Sequence, residues 1–369
     1  MLSFLPAEYY RILYFAIISV ITVFVVNKYL QRRLTIRPSR RQYESLLYWL
    51  FTLVLIVFIG LRPVSGAYFV DMATYNYQYL IRMGDPFTFD WNTDNIIFDN
   101  LFLFFSSSYI PVHYFFLFIA AIYFAGISFS CLKLFPNDRL ASMLVYLGAL
   151  STFAYATNGI KAGAAASLFL IALAFDKQRR LFLTILFLAL SLGFHHSMVL
   201  PITAFVVCKL VKNPRVFAVF WLVSLVLSAA HVTVIQHLFA GFVDEQGALY
   251  LLGGENNVRH DIFGGFRIDF ILYSLAPILI GWYYLFKNVK LSKEYVFLLN
   301  LYTLSNAIWL LCMYAEFTNR IAYLSWFMLP VLLIYPYLEE RISRYQFRTF
   351  HWVVLGHLAF TLFMNFIYW

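Results

Sequence analysis

Residues 181–211 read LFLTILFLALSLGFHHSMVLPITAFVVCKLV. Two apolar runs flank a pair of histidines, His195 and His196, and neither run carries the polar stripe of a helix that packs in water. Runs approaching or reaching the roughly 20 residues that cross a bilayer as a helix recur along the whole chain. The 369 residues are 62% hydrophobic and only 12% charged, too little polar surface to cover a soluble protein of this size. The fold class that follows is all-α: a polytopic integral membrane protein.

The net charge of +9 is better explained by topology than by a nucleic-acid partner. Twenty of the 27 Lys and Arg residues sit in short clusters between apolar runs: KYLQRRLTIRPSRR, KLFPNDR, DKQRR, KLVKNPR, KNVKLSK and EERISRYQFR. Every second connection carries one, as cytoplasmic loops do under the positive-inside rule. This alternation predicts about twelve spans, near 9–30, 46–61, 110–134, 140–157, 160–175, 181–194, 198–211, 216–237, 268–286, 295–314, 321–338 and 349–367, with both termini extracytoplasmic. The opening MLSFLPAEYY lacks a basic n-region and a small-residue cleavage site, so no removable signal peptide is expected. Cys131, Cys208 and Cys312 fall in or beside apolar runs without paired spacing, which predicts buried thiols.

No repeat or linker divides the chain, and residues 1–369 read as a single transmembrane domain. Two outer connections are long. Residues 62–108 contain IIFDNLFLFF, apolar but too short to span, which suits a re-entrant or interfacial helix. Residues 238–267 have the glycines and acids of a surface loop.

The seven cations outside the basic clusters are Arg11, Arg62, Arg82, Lys161, Arg259, Arg267 and Arg320. Arg11 reads as a headgroup anchor. Arg62 ends one span, whereas Lys161 and Arg320 begin two others, so three helices place a cation at the same predicted outer face. Each alone could snorkel to lipid phosphate. Together with Arg259 and Arg267 in the adjoining loop, they suggest an anion site, since guanidinium forks and a lysine point charge both bind phosphate oxygens. Asp71, with Tyr75 one helical turn beyond it, and Asp99 inside the apolar IIFDNLF lie on the same side. Either acid could orient a sugar hydroxyl or take its proton, or pair with the arginines and hold the loop. The run NGIKAGAAAS opens a span with small residues, which predicts a helix at the bundle centre. A histidine at a helix end can be a structural cap; beside the cations, a neutral imidazole suits a general base. Ser197 is positioned to N-cap the next helix.

These segments, in order, resemble the EpsG family of bacterial polysaccharide polymerases, which groups with the Wzy-type enzymes. GLRPVSGAYFVDMATY is similar to the family's opening signature through Arg62, Asp71 and Tyr75. NGIKAGAAAS resembles its Asn-x-x-Arg-Gln-x-x-Ala helix start, with Lys161 and Ala162 in place of Arg and Gln. GFHHSMVLP resembles its Phe-His-x-Ser segment and puts His195, rather than His196, at the family's histidine; FTNRIAYLSWFMLP resembles its Arg-x-x-Tyr helix through Arg320 and Tyr323. Asp99 falls where the family has an acid.

The resemblance implies a glycosyltransferase akin to the multi-span, lipid-dependent GT-C-like enzymes. It would polymerise undecaprenyl-diphosphate-linked repeat units of a surface polysaccharide at the outer face of the bacterial inner membrane. Arg62, Lys161, Arg320, Arg259 and Arg267 would hold the diphosphate, and His195 or Asp71 would act as base. Tyr75, Asp99 and Tyr323 would contact the sugars. No cofactor and no nucleotide sugar is implied, and no DxD or metal-ligand spacing occurs. Partners would be the lipid-linked donor and acceptor, the bilayer, and a chain-length regulator and flippase of the same pathway. An O-antigen ligase-type transferase, a flippase for an anionic lipid-linked glycan and a membrane O-acyltransferase are the other readings of the same cations and histidines.

Overall fold

The computed structural model describes residues 5–32, 42–234, 236 and 265–368. Among them there is helix and no strand. The chain forms two compact units, one of Met1–His195 with Arg344–Trp369 and one of His196–Ser343.

The first unit contains α1 (Tyr9–Asn27, continued by a 3-10 turn to Gln31), α2 (Gln42–Gly60), α3 (Val70–Ile81), α4 (Ile96–Ser107), α5 (Val112–Leu134), α6 (Arg139–Leu147), α7 (Thr152–Thr157), α8 (Ile160–Lys177) and α9 (Leu181–Phe194). Its last helix comes from the chain's C-terminal segment. α8 packs on α5, α7 and α9, and every residue from Gly163 to Ala174 is buried. Small residues permit this: a β-carbon on Gly126 of α5 would lie 2.7 Å from the Ser167 hydroxyl of α8.

The predicted span 140–157 is broken between α6 and α7. A break surrounded by apolar packing exposes carbonyls that must find donors. Tyr14 donates its hydroxyl to the Leu147 carbonyl at 2.8 Å, Thr152 to that of Tyr146 at 2.6 Å, and Tyr123 to that of Thr152 at 3.3 Å. At the basic-cluster end, buried Asp138 accepts from Tyr29 at 2.6 Å and pairs with Arg32.

The second unit contains a 3-10 turn (His196–Met198), then α10 (Val199–Leu210), α11 (Pro214–Ala229), α12 (Ile268–Phe286), α13 (Lys293–Leu311), α14 (Thr318–Trp326) and α15 (Leu329–Leu338). α16 (Gln346–Phe363) closes the first unit. In the second unit α13 packs on α10, α11, α14 and α15. Buried indoles there each find an acceptor: Trp221 on Asn306, Trp309 on Thr318 and Trp326 on Ser274, at 2.8, 2.9 and 2.7 Å. Ser197 does not cap α10; it is buried within the 3-10 turn, and α10 starts at Val199 without a side-chain cap.

Among the described residues each of the twelve apolar segments read from the sequence falls wholly or in large part on helix; 140–157 and 321–338 fall on broken pairs, and 216–237 is continuous helix only to Ala229. Five helices among the described residues have the length and apolar composition to cross a membrane: Tyr9–Gln31, Val112–Leu134, Ile268–Phe286, Thr318–Leu338 and Gln346–Tyr368. IIFDNLFLFF forms most of α4, and a second helix, α3, precedes it within residues 62–108, where the sequence suggested a single short helix. The three cysteines are buried free thiols. Replacing Tyr14 with Phe leaves the Leu147 carbonyl without its donor. We expect a loss of about 1–2 kcal/mol, read as a lower melting temperature of the purified protein; an unchanged transition would contradict this account of the break.

Candidate functional site

α4 organises one end of the first unit. Its apolar residues Phe98 and Phe102 face inward, against Tyr75 and Tyr79 of α3 and Phe115 of α5. The connection before it folds back onto the helix. The Asn100 side chain accepts from the Asp90 backbone N–H at 2.7 Å and donates to the carbonyls of Asp90 and Ile96 at 2.8 and 2.7 Å. Thr93 donates its hydroxyl to Asp99 Oδ2. Asp99 stands in the first helical turn, where the macrodipole favours a carboxylate.

Lys161, the second residue of α8, meets Asp99 from the other side, with Nζ 3.4 Å from Oδ1 and 5.3 Å from the centre of the Phe98 ring. The two side chains keep 25% and 30% of their surface exposed and their contact is long, so the pair is worth on the order of 1 kcal/mol and is open to exchange for another partner. It borders a cleft of about 250 Å³, with Phe98, Phe102 and Leu103 among its walls. Tyr75, Gln78 and Arg82 line it from α3, and Asp90 and Thr93 from the folded-back connection. The cleft thus offers two cations, two carboxylates and three aromatic rings.

His195 caps the C-terminus of α9 in extended conformation, φ −154° and ψ 116°. Its Nδ1 lies 3.2 Å from Oδ1 of Asn95, a buried residue immediately before α4. Three other features hold this end of α9. Phe194 meets Phe98 edge-on at 6.4 Å, and Ser191 donates to the Ala165 carbonyl of α8 at 2.7 Å. A β-carbon on Gly193 would sit 2.6 Å from Ile97. His195, Asn95 and Asp99 are therefore carried by one rigid corner. Asn95 escaped the sequence reading, although its place four residues before Asp99 marks it as the start of the same helix.

The remaining expected residues are placed differently. Arg62 does not line the cleft: it is 1% exposed, and its guanidinium donates to the carbonyls of Ile59 at 2.7 Å and Thr157 at 2.6 Å. The rings of Phe69 and Phe116 lie 5.2 and 5.7 Å from it, so it joins the end of α2 to the end of α7 and its charge rests on dipoles and π faces. Asp71 is partly exposed in the first turn of α3 and is not among the cleft residues. In the second unit, Arg320 is exposed above the Phe317 ring at 5.0 Å, and Tyr323 is buried against Phe327. Phe317 has the left-handed backbone, φ 51°, at the entry to α14. Arg267 forms a two-pronged pair with Asp269 at 2.9 and 2.6 Å. Arg259 lies outside the described residues.

The close approach at Gly193 gives a test of the corner. Gly193→Ala should lower the melting temperature by the equivalent of about 1–3 kcal/mol through overpacking, and adding Ile97→Ala should recover most of the loss. Independent, additive losses would show that the two residues do not meet.

Comparison with curated proteins and with solved structures gave no significant match. The EpsG family model matches residues 45–369, a range that includes the whole cleft and the His195 corner. The chain therefore belongs to the EpsG family, a membership that points to a polysaccharide polymerase in a membrane.

Proposed function

We propose that the protein joins lipid-linked oligosaccharide repeat units, transferring a growing glycan from undecaprenyl diphosphate to a sugar hydroxyl of the next lipid-linked unit. On this reading all twelve apolar segments cross the bacterial cytoplasmic membrane, the termini are extracytoplasmic, and the cleft faces outward. The family membership supports the reaction class. The observation that carries the site is the exchangeable Lys161–Asp99 pair at the mouth of a polar cleft, with His195 fixed to the same helix start through Asn95.

The donor diphosphate takes the place of Asp99 on Lys161, with Arg82 as the second cation of the cleft. The acceptor hydroxyl oxygen attacks the anomeric carbon as the bond from that carbon to the diphosphate oxygen breaks. The electron pair leaves with the lipid diphosphate, whose charge the cations stabilise. The hydroxyl proton passes to His195. When Asn95 Oδ1 accepts from Nδ1–H, the imidazole is held in the tautomer whose Nε2 is basic. Asp99, released from Lys161, orients a sugar hydroxyl, and Tyr75 offers a stacking face. Asp71 is the alternative base implied by the resemblance. Direct attack gives inversion. Arg62 acts indirectly, by holding α2 to α7; for Arg320, Arg259, Arg267 and Tyr323, phosphate and sugar roles rest on the resemblance alone.

Purified protein given lipid-linked repeats should produce a ladder of products; a single addition, or transfer only to lipid A, would indicate a ligase instead. Lys161→Ala and His195→Ala should each slow extension at least tenfold, and a normal ladder from both would remove this site from the reaction. Asn95→Ala should lower kcat with little change in KM, with Asn95→Asp retaining more activity because it keeps the acceptor. Equal kcat in the wild type and Asn95→Ala would show that the contact does not position the base.

A further inference from the structure

α3 presents two different outward surfaces. Tyr75, Gln78 and Arg82, spaced i, i+3 and i+7, form one stripe and line the cleft. Val70, Tyr77 and Ile81 form a second stripe, and each is more than half exposed. Tyr79 faces inward, buried against Phe102 and Phe115. The chain beyond α3 adds Phe87, Phe89 and Trp91, the last 76% exposed. A water-facing surface rarely leaves this many large apolar and aromatic side chains bare in so short a segment.

We propose that α3 and the Phe87–Trp91 segment lie in the bilayer–water interface, with the Val70–Tyr77–Ile81 stripe against lipid and the Tyr75–Gln78–Arg82 stripe walling the cleft. Two observations identify lipid as the occupant. The exposed apolar surface runs on from Phe87 to Phe104 of α4, 5.8 Å away, and through Phe105 to Phe118 of α5, a helix of membrane-crossing length. In addition, α3 is too short to cross, has Asp71 as its one charged residue, and ends at exposed Arg82, among tyrosines and a tryptophan of the kind that settle at headgroup level. α3 is thus a partition one helix thick. An amphiphile can place an anionic head in the cleft while its chain follows the outer stripe, without leaving the membrane. The identity of that head rests on the reading under Proposed function; the position of α3 does not.

The test uses the full chain in phospholipid nanodiscs. Because the native cysteines are buried, a spin label can be attached at Tyr77→Cys or Ile81→Cys. Both labels should collide more with oxygen than with a water-soluble nickel complex, and a label at exposed Asp85→Cys should show the reverse. Nickel dominance at 77 and 81 would overturn the proposal; so would protection from both reagents, which would mean that protein covers the stripe. As a second arm, Ile81→Asp should weaken binding of undecaprenyl diphosphate at least fivefold and leave inorganic diphosphate unaffected, whereas equal effects on both would overturn the tail contact. If the wild type binds neither compound, the diphosphate reading fails and the label data still decide where α3 lies.

Discussion

Backbone polar groups in an apolar surround must be satisfied from within the protein, and that constraint shapes most of what is specific about this chain. Where a helix stays intact the constraint is met locally. Where one breaks, as between α6 and α7, side chains from distant helices supply the donors: Tyr14 and Tyr123 for the carbonyls of Leu147 and Thr152. Arg62 obeys the same rule with a charge in place of a hydroxyl, since its guanidinium takes up the carbonyls at the ends of α2 and α7. A cation committed in this way is a structural strut first. Its removal would leave two carbonyls and a loop to rearrange, so loss of activity on replacing it would not by itself place it at the reaction.

The cleft depends on a different balance. Lys161 and Asp99 are held by elements that cannot easily move, the start of buried α8 and the first turn of α4, yet their contact is long and partly wet. A rigid frame around a weak ion pair suits an exchange of partners, because an incoming phosphate competes with only about 1 kcal/mol of attraction. His195 is fixed to the same frame through Asn95, and its neighbours Phe194 and Gly193 through Phe98 and Ile97, so on the proposed reading a ligand held by Lys161 would meet an imidazole whose orientation is already set.

Apolar runs made the helices legible. Each predicted segment falls wholly or largely on helix among the described residues, because long apolar runs satisfy their backbone most readily as helix. The two breaks were not legible, since the first of them is held by hydroxyls from other helices, one of which, Tyr14, lies more than a hundred residues from its acceptor Leu147. α3 was hidden for another reason: its pattern is amphipathic on two sides and never reaches spanning length. Charge in the wrong place located Lys161 and Asp99, and the cost of an acid in an apolar run called for a partner for Asp99. That partner is a lysine from α8, one of the cations singled out in the sequence and not one of the arginines. For Asn95 the sequence signals at most a helix start, and its meeting with His195 a hundred positions later is what gives it a place in the site.

The measurement that bears most directly on the central claim is a structure of the protein with undecaprenyl diphosphate bound. The account predicts phosphate oxygens within hydrogen-bond distance of Lys161 Nζ, Asp99 released from the lysine but still held by Thr93, and the His195–Asn95 contact intact. A diphosphate bound away from the cleft, with Lys161 and Asp99 still paired, would contradict it.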